Sequence, residues 1–124
     1  MLRTFFHSKI HRATITSTDL DYEGSITIDI DLLKASRILP YEQVHVLDIN
    51  NGNRFVTYTI PGEAGSGTIQ VNGAAAHLCK PGDLIIILNY CQLNDEEIKD
   101  FKQLKIQVDQ NNRVINSIED GGIL

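Results

Sequence analysis

Cysteine is scarce in this chain. There are two among 124 residues, Cys79 and Cys91, twelve positions apart and in no CxxC arrangement. That leaves no disulfide framework to expect, and the reading is two reduced, buried thiols in an intracellular protein. Long apolar runs are missing too. The longest, Leu84–Leu88, has the length of a strand, well short of the ~20 residues that cross a bilayer. The first residues include a cation but no uninterrupted apolar stretch, so neither a signal peptide nor a membrane segment is expected, and the cytoplasm is the expected location. Clustered positive charge is also absent. The net charge is −5, and only the first dozen residues are locally basic, through Arg3, Lys9 and Arg12. A nucleic-acid surface needs grouped Lys and Arg to neutralise phosphates; a small anionic ligand suits this charge pattern better. His7 and His11 would pair on a helix, but in a strand they lie about 13 Å apart, too far for one ion. No metal is expected.

What is present is a series of short β-like runs separated by glycine, proline and asparagine. Ile10–Thr16 and Ser25–Ile28 are rich in β-branched residues. Thr18–Asp21 reads as a turn. Asp29 or Asp31 is placed to cap a short helix over Leu32–Ala35, with Pro40 as its stop. Gln43–Ile49 alternates, with Val44, Val46 and Asp48 on one side, and Asn50–Asn53 carries the Asn-Gly signal of a tight hairpin. The returning strand is Arg54–Ile60, broken by Pro61-Gly62. Gly65-Ser66-Gly67 lacks the lysine and following helix of a phosphate loop and is read as structural. Thr68–Val71 is a further strand, Gly73–Leu78 a short helix, and Leu84–Leu88 a buried strand. Leu104–Val108 and Arg113–Ile115 suggest a terminal hairpin. No repeat or low-complexity linker divides the chain, so one domain is expected, a small barrel or sandwich.

Taken alone, the residues with chemical potential have ordinary explanations. Tyr22-Glu23-Gly24-Ser25 is a polar junction between two strands, where glycine and serine commonly make turns. Arg54 and Tyr58 are four apart in a strand and share one face. A guanidinium suits a carboxylate and a phenol can act as general acid, yet a surface Arg and a half-buried Tyr fit that spacing equally. Lys9 and His11 also share a face. Thr57 points away from Tyr58 unless the strand bulges or a subunit boundary intervenes. Asn72 precedes a glycine and a helix start, where free amides can hold an anion or simply cap.

Taken together, Lys9–Thr14, Tyr22–Ser25, Arg54–Tyr58, Asn72–Ala76, Gly65–Gly67 and Pro81–Asp83 resemble the bacterial aspartate 1-decarboxylases, a pyruvoyl-dependent family. The resemblance runs colinearly from about Met1 to Leu93. It implies a mainly β fold, a six-stranded double-psi β-barrel with short helices. It implies that the Gly24–Ser25 bond cleaves itself into chains 1–24 and 25–124, and that Ser25 becomes a covalent pyruvoyl group. That ketone would form a Schiff base with L-aspartate, yielding β-alanine and CO2 for pantothenate and coenzyme A synthesis. Thr57 would serve the self-cleavage and Tyr58 would act as proton donor. Lys9, His11, Tyr22, Arg54, Thr57, Asn72, Gly73, Ala74 and Ala75 would bind substrate. A homotetramer with sites between subunits is implied, in some members with an accessory maturation protein. The competing expectations are a non-catalytic β-barrel interaction module and a pyruvoyl decarboxylase of another amino acid. Residues 94–124, with seven carboxylates against four cations, read as a soluble appendage or oligomer edge.

Overall fold

The computed structural model describes residues 1–121. Nine strands and two short helices follow one another as β1 (Arg3–Thr14), β2 (Ser17–Asp19), β3 (Ser25–Asp29), α1 (Ile30–Ser36), β4 (Gln43–Asp48), β5 (Arg54–Gly62), β6 (Ile69–Asn72), β7 (Leu84–Leu93), α2 (Asp95–Ile98), β8 (Lys102–Val108) and β9 (Val114–Gly121), with a 3-10 helix at Gly73–His77 after β6. Their spatial order is β2-β6-β3-β5-β4-β7-β1-β8-β9. The pairs β2–β6, β3–β5 and β1–β8 are parallel and the others antiparallel. This mainly β architecture is consistent with the expected double-psi β-barrel. No helix among the described residues is long and apolar enough to cross a membrane.

Strand alternation builds the core. Ile26 and Ile28 of β3, Val44 and Val46 of β4, Ile69 and Val71 of β6, and Ile85 and Ile87 of β7 are all fully buried, so every second residue of these strands faces inward. Burying one such side chain contributes roughly 1.5–3 kcal/mol. Leu104, Ile106 and Val108 of β8 join the same core, and β8 pairs with β1 from Ser8↔Leu104 to His11↔Gln107. The segment after Leu93 is therefore part of the domain and not an appendage. Periodicity in Leu104–Val108 indicated the strand; its long-range parallel partner had no sequence signal.

Several local expectations are revised. β1 begins at Arg3, seven residues before the β-branched run, because β7 extends to Leu93 and pairs along its whole length. Thr18 and Asp19 belong to a short strand, β2, held by β6, and only the following residues turn. Helix α1 is capped by Asp29, whose carboxylate accepts from Asp31 N, and it ends at Arg37 in the left-handed region (φ 59°), ahead of Pro40. The Asn50–Asn53 connection is wider than a two-residue turn, with positive φ only at Gly52. β5 continues through Pro61, which pairs in parallel with Ile28. Its neighbour β4 reaches only Tyr58, so proline's missing N–H faces an edge with no ladder to break.

One buried group works against stability. Asp48 is 2% exposed. Its Oδ1 accepts from the amides of Asn50 (2.8 Å) and Asn51 (3.3 Å), tying the turn, while Oδ2 has no hydrogen-bond partner. Burial pushes this carboxyl above its ordinary range, and the neighbouring Asp83 carboxylate adds to the rise. A raised carboxyl means that the folded state holds the proton more tightly than the unfolded chain, so ionisation at neutral pH costs stability. Asp48→Asn keeps the turn acceptor and removes the charge. Calorimetry at pH 7 should show a melting temperature higher by about 4 °C, the shift that ~1 kcal/mol produces in a domain of this size. The gain should shrink as pH falls through the raised pKa.

Candidate active site

Ser25 opens β3, and its strand partner on β6 is Asn72. Because Ile26, Ile28, Ile69 and Val71 take the core face, Ser25, Thr27, Gln70 and Asn72 stand together on the other. Ser25 and Asn72 nevertheless have no exposed surface. Asn72 Nδ2 donates to Ser25 Oγ at 3.0 Å and to Thr27 Oγ1 at 3.1 Å, and Ser25 Oγ donates to the Glu23 carbonyl at 3.0 Å. The Asn72 side chain makes no capping bond to the 3-10 helix that follows it, so its amide serves Ser25 instead.

Gly73 supplies the tightest contact. It has φ +73°, and a Cβ built there would lie 2.7 Å from Gly24 Cα, 2.8 Å from Gly24 N and 3.1 Å from the Tyr22 carbonyl. Only glycine allows this approach, which presses the 3-10 helix onto the Gly24 backbone. Gly24 itself does not use glycine's freedom in this structure. Its φ is not in the positive region, and a Cβ there would meet nothing within 4 Å. The constraint on the 24–25 junction comes from across the gap, through Gly73.

Strand β5 lies beside β3 with Ile26↔Thr59 in register, which sets Ser25, one step back, next to Tyr58 on the same face. The β4–β5 pairing runs from Gln43↔Tyr58 to Leu47↔Arg54 with no register shift. Arg54 and Tyr58 therefore share the outer face, as alternation requires. Thr57, opposite the buried Val44, lies on the core face. No bulge brings Thr57 and Tyr58 to one side.

Across the sheet, Arg54↔Leu47, Leu47↔Ile86 and Ile86↔His11 form one row, and Val56↔His45, His45↔Leu88 and Leu88↔Lys9 form the next. Lys9, His11, Arg54 and Tyr58 thus stand on a single outer face with Ser25 and Asn72. They are not gathered to one point. β1 lies four strands from β3 in the sheet order, which at roughly 4.8 Å per strand is about 19 Å along the sheet. Lys9 Nζ instead lies over the Phe6 ring, 5.2 Å from its centroid. A cleft of about 550 Å³ lined by Thr4, Glu42, Gln43, His45 and Tyr90 opens near Tyr58's strand partner. Tyr22 is 51% exposed, Ala74 is exposed and Ala75 half-buried.

Four residues around Ser25 were not foreseen: Ser17, Thr27, Gln70 and the Glu23 carbonyl. Period-two alternation places Thr27 with Ser25 and Gln70 with Asn72, but the β3–β6 pairing that joins the two sets is a tertiary fact. Among the described residues no group of three His, Cys, Asp or Glu is arranged to hold a metal. Both cysteines are free and half-buried; burial, then Asp48 and Asp83, pushes the Cys79 thiol up to about 11.

The profile of the family described as aspartate decarboxylase matches residues 1–115. The chain is also 56% identical over 116 residues to the aspartate 1-decarboxylase of Thermoanaerobacter pseudethanolicus, covering 94% of this chain and 99% of the relative. The chain belongs to the aspartate decarboxylase family. Membership extends past Leu93, through β8 and into β9, in agreement with the core contribution of β8. It also favours a decarboxylase over a non-catalytic β-barrel interaction module.

His11, on the outer face, has its pKa lowered by burial first, then by Lys9 and Arg12. All three effects favour the neutral imidazole. An NMR titration of the imidazole should place its midpoint below the ordinary 6.5, and Lys9→Met should move it part of the way back up. An unchanged midpoint in that variant would show that Lys9 does not act on His11.

Proposed function

We propose that this chain decarboxylates L-aspartate to β-alanine and CO2, supplying β-alanine for pantothenate, with a pyruvoyl group generated from Ser25. The reaction is that of its family. The observation that carries the cofactor assignment is the Ser25 environment: a serine without solvent exposure, its Oγ held by the Asn72 amide, on a junction clamped by Gly73. A small ketone fits the same cradle, because Asn72 can donate to a carbonyl oxygen as it does to Oγ.

Self-cleavage follows from the chain's own atoms. Ser25 Oγ attacks the Gly24 carbonyl carbon; the C–O ester bond forms, the C–N bond breaks, and the hydroxyl proton passes to the freed nitrogen. Loss of the residue-25 Cα proton to water then breaks the Cβ–Oγ bond, and the electron pair leaves on the Gly24 carboxylate. Residue 25 remains as dehydroalanine, which water hydrolyses to a ketone and ammonia. Thr57, on the strand beside Ser25, is the proposed donor to the oxyanion formed at Gly24.

When present, the ketone supplies the electron sink that loss of CO2 from an amino acid requires. The remaining tasks belong to side chains. Arg54 and Lys9 offer charge-assisted hydrogen bonds to the two carboxylates of aspartate. Tyr58, beside Ser25 on the outer face, is placed to return a proton to the substrate Cα. Asn72, Tyr22 and the Gly73–Ala75 backbone line the substrate's surroundings. The spread of Lys9, His11 and Arg54 over several strands supports a site completed by a second copy of the chain, in a homotetramer.

Intact mass spectrometry should show the wild-type chain divided between Gly24 and Ser25, with a carbonyl trapped by borohydride on the larger fragment. Ser25→Ala should give only full-length chain, and a wild type that never divides would end the cofactor assignment. Tyr58→Phe should still divide yet lose turnover by about 100-fold or more, the range of a positioned acid; normal β-alanine formation would exclude Tyr58 as proton donor.

A further inference from the structure

Asn72 can face Ser25 with either end of its amide, and the two ends are chemically opposite. Nδ2 donates; Oδ1 can only accept. Around Asn72 the hydrogen bonds form a directed series. Ser17 Oγ donates to Gln70 Oε1 at 2.8 Å, Gln70 Nε2 donates to Asn72 Oδ1 at 2.7 Å, and Asn72 Nδ2 donates to Ser25 Oγ at 3.0 Å. With Oε1 taken by the Ser17 hydroxyl, Gln70 presents its donor end, Nε2, to Asn72. That donor in turn occupies Asn72 Oδ1, leaving Nδ2 for Ser25 and Thr27. β2 pairs with β6 at Ser17↔Gln70, so the backbone ladder sets the register of this series.

We propose that Gln70 is a positioning residue for the self-cleavage, locking the Asn72 amide with its donor end toward Ser25 Oγ. The inference rests on the reading of Ser25 as the source of the pyruvoyl group. The donor end matters most at the elimination. When the Cβ–Oγ bond breaks, its electron pair passes to Oγ, which departs in the Gly24 carboxylate while the residue-25 Cα proton goes to water. An N–H aimed at Oγ stabilises the charge arriving there, and a carbonyl oxygen in its place would oppose it. A hydrogen bond to a charged group is worth enough that its loss should slow cleavage about 10- to 100-fold.

The test measures cleavage rates by mass spectrometry for freshly purified full-length chain, with wild type, Gln70→Leu and Gln70→Glu in parallel and melting curves for each. Gln70→Leu should fold and cleave about 10- to 100-fold slower at every pH. Gln70→Glu is the discriminating variant. Ionised, its side chain can only accept, which turns the Asn72 amide over; protonated, it can donate to Oδ1 again. Its rate relative to wild type should therefore be low at neutral pH and recover as pH falls through the introduced carboxyl's pKa. Wild-type rates in both variants would overturn the proposal. So would a Gln70→Glu defect that is the same at all pH values, since a loss of packing alone gives no titration. A wild type that does not cleave would instead refute the Ser25 reading, and that outcome is visible before any variant is compared.

Discussion

The pairing of Ser25 with Asn72 across β3 and β6 is the contact on which the proposed chemistry of this protein depends. It puts a hydroxyl and an amide, both polar and both without solvent exposure, within hydrogen-bond distance of each other. Buried polar groups left unpaired cost roughly 1–3 kcal/mol each, so the two residues satisfy one another and Gln70 and Thr27 complete the set. Exclusion of water here would serve the proposed reactivity as well as stability. A hydroxyl surrounded by solvent has many partners; this one has the Glu23 carbonyl and the Asn72 amide, and it adjoins the peptide bond it is proposed to attack.

Glycine has a different job from the one a cleavable Gly-Ser bond suggests. The close approach belongs to Gly73, whose positive φ and missing Cβ let the 3-10 helix rest on Gly24. A side chain at 73 would push that helix away from the junction and take the Asn72 amide with it. The clamp and the hydrogen bond thus come from consecutive residues at the end of β6.

The outer face of the sheet distributes the remaining candidate site residues. Alternation puts Lys9, His11, Arg54 and Tyr58 on the side away from the core, and register fixes their rows. Strand order then keeps β1 four strands from β3. Thr57 and Tyr58, though adjacent in sequence, serve opposite faces of a strand with no bulge. Placing both at one substrate therefore calls for geometry that a single strand does not supply, which is the ground for the proposed interface between copies.

Much of this was legible without coordinates. Local sequence pattern indicated β3, β4, β5 and β8, side-chain chemistry gave a cap at Asp29 or Asp31 and a connection at Asn50–Asn53 without deciding which aspartate caps or how wide the connection is, and the resemblance drew Ser25, Asn72, Arg54 and Tyr58 together. The extent of β1, the short β2, the passage of β5 through Pro61 and the core role of β8 were not legible, because each depends on a partner strand distant in sequence. Composition and local pattern determined which residues face inward and which groups are capable of acid, base or carboxylate chemistry, since side-chain direction has a period of two in any strand. Only the tertiary structure decided which outward residues become neighbours, that Gln70 donates to Asn72, and that Gly73 and not Gly24 is the tight glycine. Those facts follow from strand order and register, which are set by the packing of the whole chain and leave no trace in any one segment.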